Sequence, residues 1–144
     1  QIYAWDGTVS DDERSTLDRL ERVGEQVSAD GFPAGRRVFG QYGAFWNAVT
    51  DYDQGSVAAG LSIPITVRQG SRDIQVPPDS STAAWRTALD GVDDATVSRH
   101  TGLNHLLLPT DGASFLGRYY TDPRNVARSF AKDIADWLTG VTGR

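Results

Sequence analysis

Residues 63–89 read IPITVRQGSRDIQVPPDSSTAAWRTAL, and this stretch decides the fold of the chain. In its first part the apolar residues Ile63, Ile65 and Val67 alternate with polar ones, which predicts a β-strand. Pro64 has no backbone N–H to donate to a sheet, so it should lie near the start of the strand or at a sheet edge. A polar turn that contains an acidic residue follows the strand.

A helix is predicted directly after this turn. Pro77 and Pro78 stand where a helix can begin, because proline fits the first helical turn. The helix is expected to end at Gly91. Its expected N-cap is one of three polar residues, Asp79, Ser80 or Ser81.

The second strand is TVSRH, residues 96–100, and a long loop and a final helix follow it. The loop spans residues 102–122, and the helix is predicted to begin at Pro123 and to end at Gly140. A strand, a helix, a second strand and a further helix form a parallel crossover arrangement. Parallel sheets are normally wide and covered on both faces, so two strands indicate one end of a larger sheet.

The first part of the chain is predicted to be helical. Ser10 and Glu13 form a capping box, so a helix should begin near Asp11 and continue to about Ala29. The aromatic-rich residues 38–61 are typical of a short helix plus a loop.

The predicted elements divide the chain into two parts. Residues 1–61 form a helical segment that serves as a cap or as a connection. Residues 62–144 form a βαβα portion, so the fold class is α/β, with parallel strands and crossover helices preceded by a helical segment.

The composition excludes several classes of function. The formal net charge is −5 at pH 7, and nucleic-acid affinity comes largely from Lys and Arg, so we expect no nucleic-acid partner. The absence of cysteine excludes a disulfide, a thiol nucleophile and a cysteine-ligated zinc site. No apolar run approaches the ~20 residues that cross a bilayer, and the first residues, QIYAWDG, do not resemble a signal peptide. We therefore expect a soluble, cytoplasmic protein that has no membrane partner.

The predicted topology brings Asp73 and His105 together. Asp73 lies in the polar turn after the first strand, and His105 lies in the turn GLNH after the second. In a right-handed crossover both loops emerge at the carboxyl edge of the sheet, where neighbouring strands lie about 4.8 Å apart. A carboxylate in that position can accept Nδ1–H from an imidazole and stabilise the imidazolium that forms during catalysis.

The stretch 63–89, with TGLNHLLL at 101–108 and ARSFAKDIADWL at 127–138, resembles the C-terminal half of an α/β-hydrolase-fold serine hydrolase. It is most similar to the dienelactone-hydrolase and prolyl-oligopeptidase-like group. That group has its triad acid in a G-x-x-D turn, which ends here at Asp73, and its triad histidine in a Gly-Leu-Asn-His turn, which ends here at His105. The resemblance implies that these two residues are catalytic and that no cofactor is required. It also implies hydrolysis of a carboxylic ester, with a peptide or amide as the lesser expectation.

The nucleophile of that family is missing from the sequence. The family places its serine in a G-x-S-x-G elbow, and no such string occurs here. DGASFLG, residues 111–117, has the wrong spacing and follows His105, whereas the family's order is serine, acid, histidine. We therefore expect the nucleophile and the oxyanion hole upstream of Gln1 and expect this chain alone to be inactive. The expected partners are a small ester or short peptide and the missing N-terminal half, or another chain that covers the exposed sheet edge.

Other interpretations of these residues stay open. The chain could be a non-catalytic interaction or remnant domain that pairs its exposed sheet edge with another chain. Asp73 and His105 could each be an ordinary loop residue, and we interpret His100 as structural. A set of possible metal ligands lacks the short paired spacing of a zinc motif: His100, His105, Asp111 and Asp122. Three loop aromatic residues could line an acyl or aromatic pocket: Phe115, Tyr119 and Tyr120.

Overall fold

The computed structural model describes residues 8–29, 31–111 and 125–143, which form two compact units. One unit comprises residues 8–54, and the other comprises the described residues from Gly55 onward. None of the helices in these ranges is both long and apolar enough to cross a membrane.

Helix α1 (Asp11–Ser28) begins at the predicted capping box. The Glu13 backbone N–H donates to the Ser10 hydroxyl oxygen at 3.3 Å, and the Ser10 backbone N–H donates to the Glu13 carboxylate at 2.9 Å. These two bonds satisfy N–H groups that have no partner inside the helix. The predicted bounds of this helix are confirmed.

The aromatic-rich stretch contains more structure than the sequence predicts. Strands β1 (Arg37–Val38) and β2 (Gln41–Tyr42) form a short antiparallel hairpin. Helix α2 (Gly43–Thr50) follows directly, and helix α3 (Gln54–Ala59) comes next along the chain. Residues 38–61 therefore contain two short helices, and the hairpin before them was not predicted.

The second unit contains a parallel pair of strands joined by a helix. Strands β3 (Ile65–Gly70) and β4 (Ala95–His100) pair in parallel, and helix α4 (Pro78–Ala88) connects them. Gly70 lies opposite His100, so the two strands end at the same level. The predicted strand–helix–strand arrangement is confirmed, and its two loops leave the same edge of the sheet.

Two helices contact opposite faces of this sheet. Arg99 donates from Nη1 to the Asp79 carboxylate of α4 at 2.7 Å. His100 is the next residue in β4, so its side chain points to the other face. There its ring meets the Phe130 ring of helix α5 (Arg128–Thr142) edge to face, with 5.1 Å between the ring centroids.

The apolar core of this unit includes the loop that follows β4. Leu103 and Leu108 of this loop are buried, as are Leu89 after α4 and Ala127 before α5. The Ala127 backbone N–H donates to the Leu107 carbonyl oxygen at 3.0 Å and so connects the loop to the last helix. The loop that carries His105 is therefore packed as part of the core.

The predicted start of the first strand is wrong by two residues. The strand begins at Ile65, because Pro64 has no N–H to donate and ends the ladder on that side. The Ile65 N–H donates instead to the Asp94 carbonyl oxygen at 2.9 Å. Pro64 thus lies just before the strand, where proline is tolerated.

The predicted cap and end of α4 are also wrong. Pro77 occupies the N-cap position, and no side chain makes a capping hydrogen bond there. The helix ends at Ala88, and Gly91 lies in the following turn with φ of 78°. The three residues expected to cap the helix lie inside its first turns: Asp79, Ser80 and Ser81.

The predicted bounds of the last helix need correction at both ends. Pro123 lies outside the described residues, and the residues directly before Arg128 are not helical, so the predicted start is wrong. Ala127 has φ of −56° and ψ of 129°, and its N–H is bound to Leu107, which keeps it out of the helix. At the other end the helix continues past Gly140 to Thr142, so the predicted end is wrong by two residues.

The buried hydroxyl of Thr82 connects α4 to β4, and its removal should destabilise the second unit. It donates to the Pro78 carbonyl oxygen at 2.6 Å and accepts from Arg99 at 2.9 Å. Thr82→Val keeps the shape but removes both hydrogen bonds of this buried hydroxyl group, so we expect the free energy of unfolding to fall by about 1–3 kcal/mol. Urea denaturation should show a lower midpoint with an unchanged slope.

Thr87→Val is the matched control, because it makes the same change at an exposed position of the same helix. We expect it to shift the free energy of unfolding by no more than about 0.5 kcal/mol. Equal effects of the two substitutions would contradict the role assigned to the Thr82 hydroxyl.

Candidate active site

Asp73 and His105 meet at the carboxyl edge of the parallel pair. The His105 Nδ1 and Asp73 Oδ2 atoms lie 2.9 Å apart, a hydrogen-bond distance. Asp73 is 5% exposed, whereas the His105 side chain is 35% exposed. The predicted meeting of the two side chains is confirmed, and their catalytic role stays a prediction.

The turn after β3 surrounds the Asp73 carboxylate with N–H groups. Its Oδ1 atom accepts from the backbone N–H groups of Gln75 and Val76, each at 2.9 Å. Burial raises the pKa of Asp73, but hydrogen bonds from Val76, His105 and Gln75 outweigh it and hold the pKa below the ordinary value of 3.8. Asp73 is therefore an ionised acceptor at neutral pH, so His105 donates to it from Nδ1.

The hydrogen bond to Asp73 fixes the tautomer of the neutral His105 ring. When Nδ1 of a neutral imidazole carries the proton, Nε2 is left as a proton acceptor. Within the described ranges, no hydrogen bond to His105 Nε2 is present. The ring is thus oriented through Nδ1, and its Nε2 is left to accept a proton from another group.

Asn104 shapes the loop that presents His105. Its side-chain Oδ1 accepts from the backbone N–H groups of Leu106 at 3.0 Å and Leu108 at 3.1 Å. The Asn104 backbone N–H also donates to the Leu108 carbonyl oxygen at 3.0 Å, and the Asn104 side chain is buried. In the sequence Asn104 stands out only as part of the GLNH motif, although asparagine commonly organises its own turn in this way.

Ser71 links the two loops that carry Asp73 and His105. Its backbone N–H donates to the His100 carbonyl oxygen at 2.9 Å, and its Oγ accepts from the Gly102 N–H at 2.9 Å. The Arg72 N–H donates to the Leu103 carbonyl oxygen at 2.9 Å in the same region. Sequence reasoning missed Ser71, because its bonds depend on a residue 31 positions away.

Gly70 allows the close approach of these loops. A Cβ at this position would lie closer than 3.0 Å to the backbone carbonyl oxygens of Leu103 and Asn104. The glycine of the G-x-x-D turn therefore has a steric function as well as its place in the motif. The absence of a side chain at Gly70 lets the end of β3 approach the backbone of Leu103 and Asn104, directly before His105.

A cavity of about 230 Å³ opens beside the Asp73–His105 pair, on the side of β3 that faces α4. Its lining is partly apolar, from Val67 of β3, Trp85 of α4 and Leu107, and partly polar, from Gln69 and Ser81. His105 forms part of the wall. A group that enters this cavity can therefore contact the imidazole.

His100 belongs to a separate cluster on the other face of the sheet. Its Nε2 lies 3.4 Å from the Asp133 carboxylate of α5, which also pairs with Arg68 of β3. Burial lowers the pKa of His100, and the positive charge of Arg68 lowers it further. These contacts join α5 to both strands and agree with the structural interpretation of His100.

The metal interpretation gains no support from the described ranges. No group of three or more His, Cys, Asp or Glu side chains there is arranged to hold a metal ion. Asp122 lies outside the described residues. So do the aromatic residues that were considered for a pocket, Phe115, Tyr119 and Tyr120.

Comparison with known proteins shows a similarity to an esterase. The chain is 24% identical over 124 residues to Esterase EstD of Thermotoga maritima. The match covers 86% of this chain and 30% of the esterase, so the chain spans less than a third of that protein's length. No family model and no solved structure matches the chain. The similarity supports a hydrolase or esterase relationship, whereas the narrower dienelactone-hydrolase and prolyl-oligopeptidase-like grouping stays a prediction.

Gly70→Ala should disrupt the site, because the added methyl group would collide with two backbone carbonyl oxygens that cannot rotate away. We expect a loss of about 1–3 kcal/mol in the free energy of unfolding. The His105 Nδ1–H proton signal should also exchange faster with water. Both effects can be measured, by urea denaturation and by NMR.

Gly140→Ala is the matched control, since its Cβ would meet nothing within 4 Å and the residue lies in a helix. Alanine should stabilise that helix by about 0.5–1 kcal/mol. A Gly70→Ala variant as stable as the Gly140→Ala variant would contradict the close approach described for Gly70.

The lowered pKa of Asp73 predicts how its contribution to stability depends on pH. A carboxylate with a folded-state pKa below its unfolded value stabilises the fold above the unfolded pKa of 3.8 and loses this effect as the pH falls through the folded value. Asp73→Asn should therefore lower the free energy of unfolding at pH 7. The difference from the unsubstituted chain should shrink as the pH falls below 3.8.

Urea denaturation at a series of pH values measures this difference. Asp90→Asn, which makes the same charge change at an exposed position, controls for net charge. A deficit for Asp73→Asn that stays constant across the acidic range would argue against a lowered Asp73 pKa.

Proposed function

We propose that this chain supplies the acid and the histidine of a serine hydrolase that cleaves carboxylic esters. The observation that carries the proposal is the 2.9 Å contact between Asp73 Oδ2 and His105 Nδ1, which leaves Nε2 as the basic atom. The similarity to Esterase EstD supports the same reaction class. We assign the chain to the C-terminal portion of an α/β-hydrolase fold, with residues 1–61 as a cap-like or connecting segment.

The proposed reaction needs a hydroxyl group from a polypeptide segment outside these 144 residues. His105 Nε2 takes the proton from a serine hydroxyl as its oxygen attacks the ester carbonyl carbon, and Asp73 stabilises the imidazolium. The proton then passes to the leaving alkoxide, which departs as an alcohol and leaves an acyl-serine. Water, activated by the same imidazole, releases the carboxylic acid and restores the serine.

The residues of this chain account for proton transfer and not for nucleophilic attack. The sequence contains no G-x-S-x-G elbow, which in α/β hydrolases presents the serine and one oxyanion-hole N–H. In the proposed enzyme a segment with this elbow packs beside β3, so that its hydroxyl reaches His105. Short peptides and amides are the second expected substrate class.

His105 should be required for reaction with a serine-directed fluorophosphonate. We expect no labelling of the 144-residue chain alone, because the nucleophile is absent, and rapid labelling of the protein that includes the segment encoded upstream of Gln1. In that longer protein His105→Ala should slow labelling about 100-fold or more, the usual contribution of a general base. Mass spectrometry of the labelled peptide identifies the reacting serine.

The other histidine of the chain provides the control. His100→Gln removes an imidazole from the opposite face of the sheet, and labelling should stay within a few-fold of the unsubstituted rate. Rapid labelling of the 144-residue chain alone would overturn the placement of the nucleophile. A longer protein that folds and does not label would favour a non-catalytic interaction domain.

A further inference from the structure

Gln69 is a buried polar side chain next to the Asp73–His105 pair. It is the second-last residue of β3 and is 8% exposed. Its Nε2 atom donates to the Val76 carbonyl oxygen at 2.9 Å and approaches Asp73 Oδ2 at 3.4 Å. Burying an amide group is costly unless it is hydrogen-bonded, and both of these contacts are made to the turn that holds Asp73.

The groups that donate hydrogen bonds to Asp73 are held in place by different parts of the structure. A carboxylate offers about four lone-pair sites, and Asp73 faces four donors. The N–H groups of Gln75 and Val76 belong to the same turn as Asp73 and move with it, and His105 is the group to be oriented. Gln69 lies on the strand, so its amide connects the turn to the sheet.

We propose that Gln69 is a positioning residue, which holds the Asp73 carboxylate in the orientation that receives His105 Nδ1–H. The strong bond to Val76 fixes the amide, and its second hydrogen then lies against Oδ2, the same oxygen that receives His105. Two donors on Oδ2 and two on Oδ1 restrict rotation of the carboxylate about its Cβ–Cγ bond. The importance of this role for catalysis rests on the proposed function.

The chemistry of this position favours a neutral donor. A leucine or methionine would fill the space and provide no N–H group for Asp73 Oδ2 or the Val76 carbonyl oxygen. A glutamate would place a second negative charge beside Asp73 and oppose its ionisation. Glutamine provides both N–H groups without a charge and with a side chain long enough to reach the turn.

Gln69→Met in the 144-residue chain tests whether Gln69 orients the Asp73 carboxylate or only fills space beside it. Methionine keeps the length and apolar stem of glutamine, so a purely packing role predicts no change at Asp73. A positioning role predicts a higher pKa for the Asp73 carboxyl group, because a donor to its charged form is lost. NMR titration of the ¹³C-labelled carboxyl carbon measures this pKa directly.

The control is Gln26→Met, which makes the same change at an exposed position of α1. It should leave the Asp73 pKa unchanged. If Gln69→Met does not fold, Gln69→Glu keeps the shape of the side chain and should raise the apparent pKa of Asp73 through charge repulsion. An Asp73 pKa that is unchanged in the folded Gln69 variant, or equally raised in the Gln26 control, would overturn the proposal.

A second measurement uses the longer protein that labels with a fluorophosphonate. Gln69→Met should lower kcat for an ester substrate about tenfold, which corresponds to about 1.4 kcal/mol, and leave KM nearly unchanged. A kcat equal to that of the Gln26→Met control would overturn the catalytic importance of the positioning. If no form of the protein labels, the proposed function fails, and the Asp73 titration still decides whether Gln69 acts on the carboxylate.

Discussion

The structure of the candidate site depends on the parallel pairing of β3 and β4 in a register that ends both strands together. Gly70 lies opposite His100, so the loops that carry Asp73 and His105 leave the sheet at one edge and one level. The His100 carbonyl oxygen accepts from the backbone N–H groups of both Ser71 and Leu103, and thus joins the first residues of the two loops. A shift of one residue in this register would send every side chain of the shifted strand to the opposite face and end the two strands at different levels.

The second constraint is the free-energy cost of keeping the Asp73 carboxylate ionised in a site that is almost fully buried. Water cannot solvate Asp73, and an isolated buried charge would be strongly unfavourable. The N–H groups of its own turn, the amide of Gln69 and the His105 ring replace that solvation. The bonds from Val76, His105 and Gln75, which lower the pKa of Asp73, also fix where its oxygen atoms lie, so ionisation and orientation have a common physical cause.

The sequence was informative where short-range chemistry decides the structure. The capping box predicted the start of α1, and strand alternation with a crossover predicted that Asp73 and His105 would meet. Prediction failed where contacts between distant residues decide. Ala127 is kept out of the last helix by its bond to Leu107, and no local pattern indicates this. The hairpin turn was missed because Phe39, with φ of 49°, occupies a position where sequence rules look for Gly, Asn or Asp.

The residues that orient the site were missed for the same reason. Ser71, Gln69 and Asn104 look like ordinary polar residues in the sequence, and each acquires its role only when the loops are brought together.

Within the part of the chain that the structure describes, the side-chain hydrogen bonds of the Asp73–His105 pair come from strand β3 and from the loops that follow β3 and β4. The Gln69 amide, the Ser71 hydroxyl and the Asn104 side chain all act within this region. The buried leucines of the second loop, Leu103 and Leu108, belong to it as well. The carboxylate and the imidazole are therefore oriented by their own segment before any nucleophile is present. A hydroxyl group supplied by another segment would meet a base that is already oriented, so positioning of the base and delivery of the nucleophile can be encoded in separate parts of a polypeptide.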